Sequence, residues 1–242
     1  MFYNQTMKKI SVVIPAYNEE KLISRCLESL ESQTIKPNEI IVVDNNSTDS
    51  TAKIASGFPL VKVIAESRQG IVFARDAGFN AVTTDIIARC DADSILPPNW
   101  IERIHKDFEN HPDIVAVTGL AVAHDIPAWL AAPGKWIHLA IFYGISYLIL
   151  GHNVLFGSSQ AITTKVWHKV RNVTCNDEKH MHEDIDLAIH VAKYGRIMLD
   201  TKLFAYVSAR ILREGPKKLY SRLKRWPETR FIHKNGAGLR LP

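Results

Sequence analysis

The first ninety residues alternate short apolar runs with stretches whose apolar positions recur at helical spacing. Residues 9–14 form a β-branched run that stops at Pro15. Residues 19–30 then place Leu22, Ile23, Cys26, Leu27 and Leu30 along one side of a helix. The pattern repeats. Residues 39–43 read as a fully apolar strand ending at Asp44, residues 45–50 supply turn and N-cap chemistry, and a second helix follows near residues 51–56. A third strand at 60–65, a third helix at 71–82 and a fourth strand at 85–90 complete the series. Continuous apolar strands alternating with helices predict a mostly parallel sheet covered on both faces, an α/β fold. In such sheets ligands bind beyond the carboxyl ends of the strands. Residues 15–19, 44–49 and 91–93 all follow strand ends, so they are predicted to line one crevice.

The second half is less regular. Residues 100–108 read as a helix and 114–123 as a strand. Residues 136–150 are nearly all apolar but fall short of the roughly 18 apolar residues of a spanning helix, and His152 and Asn153 interrupt any extension. A buried core helix, an interfacial membrane helix and a true span remain open for this segment. The boundaries expected are a nucleotide-binding half at 1–123, an acceptor and catalytic half at 124–209, and a basic tail at 210–242.

Composition adds three points. Hydrophobic residues at 46% and charged residues at 23% exclude a disordered or fibrous class. The three cysteines, Cys26, Cys90 and Cys175, are widely spaced, which points to a reducing compartment, and the N-terminus shows no secretory pattern. The Asn172 glycosylation triplet is then without consequence. The net charge of +5 is concentrated in the tail, where ten Lys and Arg face only Glu214 and Glu228. That stretch attracts phosphates, anionic lipid or nucleic acid, or is simply a solvated helical face.

Candidate chemistry begins with Asp91-Ala92-Asp93. Two carboxylates after an apolar strand suit a hard divalent cation, which is usually held by one or two protein carboxylates together with substrate phosphates. A solvated turn is the plain alternative. Further along, His180, His182, Asp186 and His190 raise the thought of zinc, but His-Glu-Asp-Ile-Asp lacks the second histidine of a His-Glu-x-x-His helix.

Five segments in order resemble the inverting glycosyltransferases of family 2, with the GT-A fold. They are residues 11–19 (SVVIPAYNE), residues 42–49 (VVDNNSTD), Gly70 with Ala74-Arg75-Asp76 and Gly78, Asp91-Ala92-Asp93, and residues 183–187 (EDIDL). The resemblance implies a Rossmann-like, mostly parallel central sheet flanked by helices, with a smaller mixed acceptor-side region. It implies that Pro15, Ala16, Tyr17, Glu19, Asp44 and Asn46 contact the donor nucleotide and that Arg75 holds the pyrophosphate or ribose side, unless it only pairs with Asp76 or Asp85. Asp93 is implied as the direct ligand of Mn²⁺ or Mg²⁺, with Asp91 on the ribose or a metal-bound water. Asp184 is implied as the base that accepts the acceptor proton, and Glu183, Gln160 and Trp226 as acceptor-contacting or site-orienting residues.

The implied partners are a nucleotide-sugar donor, UDP-linked, a saccharide or lipid-linked acceptor and an anionic membrane surface, with no nucleic acid. The implied place is the cytoplasm, peripheral to the inner face of the membrane. Departures from the family pattern also matter. An Asn is common where Ser159 or Gln160 stands. Arg222 replaces the Gln of the Gln-x-x-Arg-Trp motif of processive members, which favours transfer of a single sugar. The loop after the first strand is Pro-Ala-Tyr-Asn-Glu, without the Gly-rich, Arg-containing loop of sugar nucleotidyltransferases. A non-catalytic nucleotide-binding or membrane-docking subunit is the alternative from another class.

Overall fold

The computed structural model describes residues 7–177, 181–209 and 228–229, without the side chains of 128, 130–132, 135 and 138. Seven strands form one sheet: β1 (Ile10–Ala16), β2 (Glu39–Asp44), β3 (Val61–Ala65), β4 (Ile86–Arg89), β5 (Ile114–Ala123), β6 (Gln160–Thr163) and β7 (Arg196–Val207), in the order β3-β2-β1-β4-β6-β5-β7. Strands β1 to β4 are mutually parallel. β6 runs antiparallel to both of its neighbours, β4 and β5, and β5 pairs in parallel with β7. The chain winds outward from β1 to β3 and returns to place β4 on the other side of β1. That reversal is a topological switch point, where the loops after β1 and β4 diverge and leave room for a ligand.

Alternation along the central strands divides the core. Val12, Ile14, Ile40 and Val42 face a layer made by helices α1 (Ile23–Glu31), α2 (Thr51–Ala55) and α4 (Trp100–Asn110). Val13, Ile41 and Val43 face helices α3 (Ile71–Ala81), α7 (Thr164–Val170) and α8 (Glu183–Val191). Burial on both faces explains why these strands read as unbroken apolar runs.

Several boundaries differ from the sequence expectation, two of them for a visible reason. β1 does not stop at Pro15 but continues to Ala16, paired there with Val43 and Asp44 of β2. On its other side the pairing with β4 ends at Val13, whose carbonyl accepts the Cys90 N–H. By strand alternation the missing N–H of Pro15 points to that vacant side, so no ladder bond is lost. The first helix begins at Ile23 because the Glu19 carbonyl first closes a turn with the N–H groups of Leu22 and Ile23. In the second half, α7 and the 12-residue β7 add regular structure that the pattern did not reveal. The apolar stretch at 136–150 belongs to a helical run comprising α5 (Ala128–Ile137), a π-helical segment (His138–Ile145) and α6 (Ser146–Leu150). Among the described residues no helix is long and apolar enough to cross a membrane.

One close packing contact sets the height of α3 over the sheet. A Cβ on Gly78 would lie 2.3 Å from Val13 Cγ1 and 2.8 Å from Val43 Cγ2. Only hydrogen fits, and Arg75, one turn earlier, is thereby held at a fixed distance from β1. Gly78→Ala should destabilise the fold by about 1–3 kcal/mol through overpacking, measurable by urea unfolding. Unchanged stability would show that the helix–sheet spacing is slack.

Candidate active site

Three loops meet at the carboxyl edge of the sheet. The loop after β1 and the loop after β2 are zipped together: Ser47 Oγ accepts the Asn18 N–H at 3.0 Å, Thr51 Oγ1 accepts the Glu19 N–H at 2.8 Å, and Asn18 Oδ1 accepts the Thr48 N–H at 2.8 Å. Asn18 and Asn46 both adopt the left-handed conformation, with φ of 53° and 62°, which asparagine tolerates better than most residues. The buried Asn45 ties in the third loop by donating to the carbonyls of Glu66 and Arg68 and accepting from the Gly70 N–H. This network holds Tyr17, exposed, and Asp44, half-buried, at one edge.

Next to them, β4 delivers Asp91. Its carboxylate accepts from Ser158 Oγ and, at 3.4 Å, from Arg89 Nη2, while part of the side chain stays open to solvent. Asp93, two residues on, is half-buried. These are hard oxygen donors suited to Mn²⁺ or Mg²⁺, and two of them leave coordination positions for a ligand's phosphates. The donor set therefore fits a divalent cation held jointly with substrate. The cluster near His182 is different. Asp186 is buried and accepts the Cys175 N–H at 2.8 Å, with His190 Nε2 3.6 Å away, so it anchors the loop before α8. Among the described residues no three His, Cys, Asp or Glu converge to hold a metal, and His180 lies outside them.

The first turn of α8 brings up Glu183 and Asp184, and the sequence reading missed what receives them. Arg89, the last residue of β4, is almost wholly buried and lies under both acids. Its Nη1 and Nη2 each donate to Glu183 at 2.9 Å, a bidentate pair, and Nη1 also reaches Asp184 Oδ1 at 3.2 Å. One guanidinium thus touches Asp91, Glu183 and Asp184. The signal was visible: a cation inside Ile86-Ile87-Ala88-Arg89-Cys90 must be paired once that strand is buried.

Arg75 occupies a second tier. It is fully buried, donating to Asp76 at 2.8 Å and to Glu183 at 3.2 Å. The Asp76 pairing was one of the two alternatives for this residue; the bond to Glu183 was not foreseen. Asp184 Oδ2 takes the Gly157 N–H at 3.0 Å. Gln160 is buried on β6 opposite Arg89 in register, and its side-chain amide has no hydrogen-bond partner among the described residues. Trp226 and His233 lie outside the described residues.

These contacts separate the two acids electrostatically. Burial opposes the charge of Glu183, but Arg89 and Arg75 outweigh it and hold its carboxyl at about 2. Burial and the neighbouring Glu183 charge push Asp184 up to about 7, with Arg89 opposing them. One acid is fixed as an anion, and the other is poised to exchange a proton near neutrality.

A mostly parallel seven-stranded sheet with one antiparallel strand, flanked by helices, is the GT-A fold of glycosyltransferases. The family model for glycosyl transferase family 2 matches residues 11–163, more than half of the chain, and the chain belongs to that family. A glucosyl-dolichyl phosphate glucuronosyltransferase of Haloferax volcanii is 31% identical over 129 residues, 51% of this chain and 40% of the relative. The chain spans less than half the length of the curated relatives it matches. Among solved structures, S. aureus TarS 1-349 in complex with UDP-GlcNAc superposes with a TM-score of 0.66 at 19% identity, covering 87% of this chain and 60% of that one. The mannosyltransferase PcManGT of Pyrobaculum calidifontis, in complex with GDP-Man and Mn²⁺, gives 0.66 at 16% identity, covering 95% and 76%. At these identities the structures share the fold.

The guanidinium of Arg89 is pressed against Gly157: a Cβ there would sit 2.7 Å from Nη2 and 2.8 Å from Cζ. Gly157→Ala should displace the cation and Asp184 together and lower sugar transfer on the order of a hundredfold. Gly134→Ala, where a Cβ meets nothing within 4 Å, should leave the rate unchanged. Equal activity in the two variants would show that Arg89 does not set the position of Asp184.

Proposed function

We propose that this chain is an inverting glycosyltransferase that moves a single sugar from a nucleotide-linked donor, UDP-linked, to a hydroxyl of a saccharide or lipid-linked acceptor in cell-surface glycan synthesis. The observation that carries the proposal is the shared contact of Arg89 with Asp91 on one side and Asp184 on the other. It supports one reaction centre built from acids almost a hundred positions apart.

In this reading the half at 1–123 holds the donor and the half at 124–209 presents the acceptor. Pro15, Ala16, Tyr17 and Glu19, with Asp44 and Asn46, receive the nucleoside, where a carboxylate accepts from a base N–H or ribose hydroxyls. Asp93 would ligate Mn²⁺ or Mg²⁺ with Asp91 assisting, and a bound ion would supply charge to offset that of a departing diphosphate. Arg75 acts through Glu183, which it helps to keep ionised. Gln160 and, by the family resemblance, Trp226 are assigned to contacting the acceptor or orienting the site.

Inversion requires the acceptor hydroxyl to attack from the face opposite the leaving group. A carboxylate cannot hold a free sugar hydroxyl ionised, so Asp184 receives the proton as the new bond forms. A carboxyl near 7 is better matched to that transfer than an ordinary aspartate near 3.9. The Gly157 N–H and Arg89 occupy one side of each of its oxygens and so fix the direction in which it accepts. The UDP-GlcNAc and GDP-Man of the two solved neighbours, and the dolichyl-phosphate name of the Haloferax relative, support the donor and acceptor classes.

Two experiments test this reading. Asp93→Ala should abolish metal-supported donor binding in calorimetry, whereas Asp184→Asn should keep donor binding and lose transfer. Equal donor affinity in wild type and Asp93→Ala would contradict the metal assignment. Because Asp184 must be ionised to accept a proton, kcat/KM should rise with pH through a limb near 7 and fall tenfold per unit below it. Glu183→Gln removes the charge that holds Asp184 up and should move the limb to lower pH. A profile flat to about pH 5 would rule out this base.

A further inference from the structure

The helical run between β5 and β6 has two faces with different surroundings. Its inner face closes the catalytic end of the molecule. Tyr143 is buried with its hydroxyl bonded to Thr118 and to the Gly119 carbonyl, and Ser146 is buried beside it. Phe142 meets Phe156 edge-on at 5.8 Å and lies 6.2 Å from the ring of His182, the residue directly before the acidic pair.

The outer face carries Trp129, Trp136, Ile137, Ile141, Ile145 and Leu148, the two tryptophans exposed at 72% and 65% and Leu148 at 86%. Trp129 and Trp136 are seven apart, and Ile137, Ile141, Ile145 and Leu148 follow at steps of four, four and three, so each set recurs on one side of the run. Residues 136–150 contain no Asp, Glu, Lys or Arg. A group of large exposed apolar side chains of this kind on a folded protein marks a contact surface rather than ordinary exposure.

Charge identifies the occupant. The Ala209 N–H donates to Asp125 at 2.6 Å, three residues before the helical run begins. The chain that follows Ala209 contains ten Lys and Arg against two Glu. Ala209, the residue directly before this basic stretch in the sequence, thus sits beside Asp125 near the start of the helical run. Apolar residues with interfacial tryptophans next to a strong positive balance complement an anionic bilayer surface. A second copy would bring the same cations and be repelled. Among the described residues no helix is long and apolar enough to cross a membrane, so contact at the surface of a bilayer is the mode that fits.

We propose that the face bearing Trp129, Trp136, Ile141, Ile145 and Leu148 docks on an anionic lipid bilayer and sets the Asp184 end of the site against the headgroup layer. The inference rests on the lipid-linked acceptor reading above. An acceptor hydroxyl on a lipid phosphate stays at headgroup depth, and an enzyme seated this way reaches it without extracting the lipid.

The test is flotation of the full chain with vesicles of phosphatidylcholine alone and of phosphatidylcholine mixed with phosphatidylglycerol, beside the double variant Ile141→Glu with Leu148→Glu. Both positions are exposed and outside the catalytic machinery, so donor hydrolysis in solution should be unchanged. The wild type should float with the anionic vesicles, and the double variant should bind them on the order of tenfold or more weakly. Equal binding by wild type and variant, or none by either, would overturn the docking surface. A wild-type dimer in sedimentation that the variant dissolves would overturn the lipid assignment in favour of a contact between copies. Hydrolysis without flotation would sink this inference alone. Flotation with no hydrolysis of any nucleotide sugar would sink the proposed function and leave the docking surface standing.

Discussion

A guanidinium buried at the end of β4 organises everything at the catalytic edge. Arg89 meets Glu183 with two bonds at 2.9 Å, Asp184 with one and Asp91 with another. Removing a cation from water costs several kcal/mol, and the geometry here offsets that cost only because three carboxylates share it. The strand β4 and the helix α8 come from opposite halves of the sequence. Their common cation joins these two parts of the chain at one edge of the sheet.

The same contact explains why neighbouring acids behave differently. Glu183 receives a bidentate pair from Arg89 and further charge from Arg75, and it stays ionised. Asp184 has a single long bond to Arg89 and a backbone donor, while the fixed charge beside it opposes its own ionisation. Two residues adjacent in sequence thus differ in charge, one held ionised and the other with its carboxyl raised toward neutrality. The arrangement needs little room. Gly157 and Gly78 lack side chains where Arg89 and the sheet press closest, so the network is held by packing as well as by charge.

Much of this was legible in the chain. Strands β1, β2 and β4 are buried on both faces, which writes them as apolar runs, and β5 falls on the residues expected from its pattern. The acidic strand ends were legible because turn chemistry and carboxylates follow each run. Arg89 was not, since it was read as one more strand residue; the pairing partner sits 94 positions away, and pattern cannot show such distance. Strand β7 escaped because its faces alternate between buried and exposed positions without a clean period. The helical run at 128–150 resisted classification for a related reason. Tyr143 and Ser146 face the core while Trp136 and Leu148 face outward, yet nearly all its residues are apolar, so hydropathy alone cannot separate the two sides.

The claim that Arg89 couples donor-side and acceptor-side acids is tested most directly by a double-mutant cycle on stability, with Asp91→Asn, Glu183→Gln and the pair measured by urea unfolding. If both acids share one cation, the effects should be non-additive, with a coupling energy of about 0.5–3 kcal/mol. Effects that add within about 0.3–0.5 kcal/mol would contradict the account.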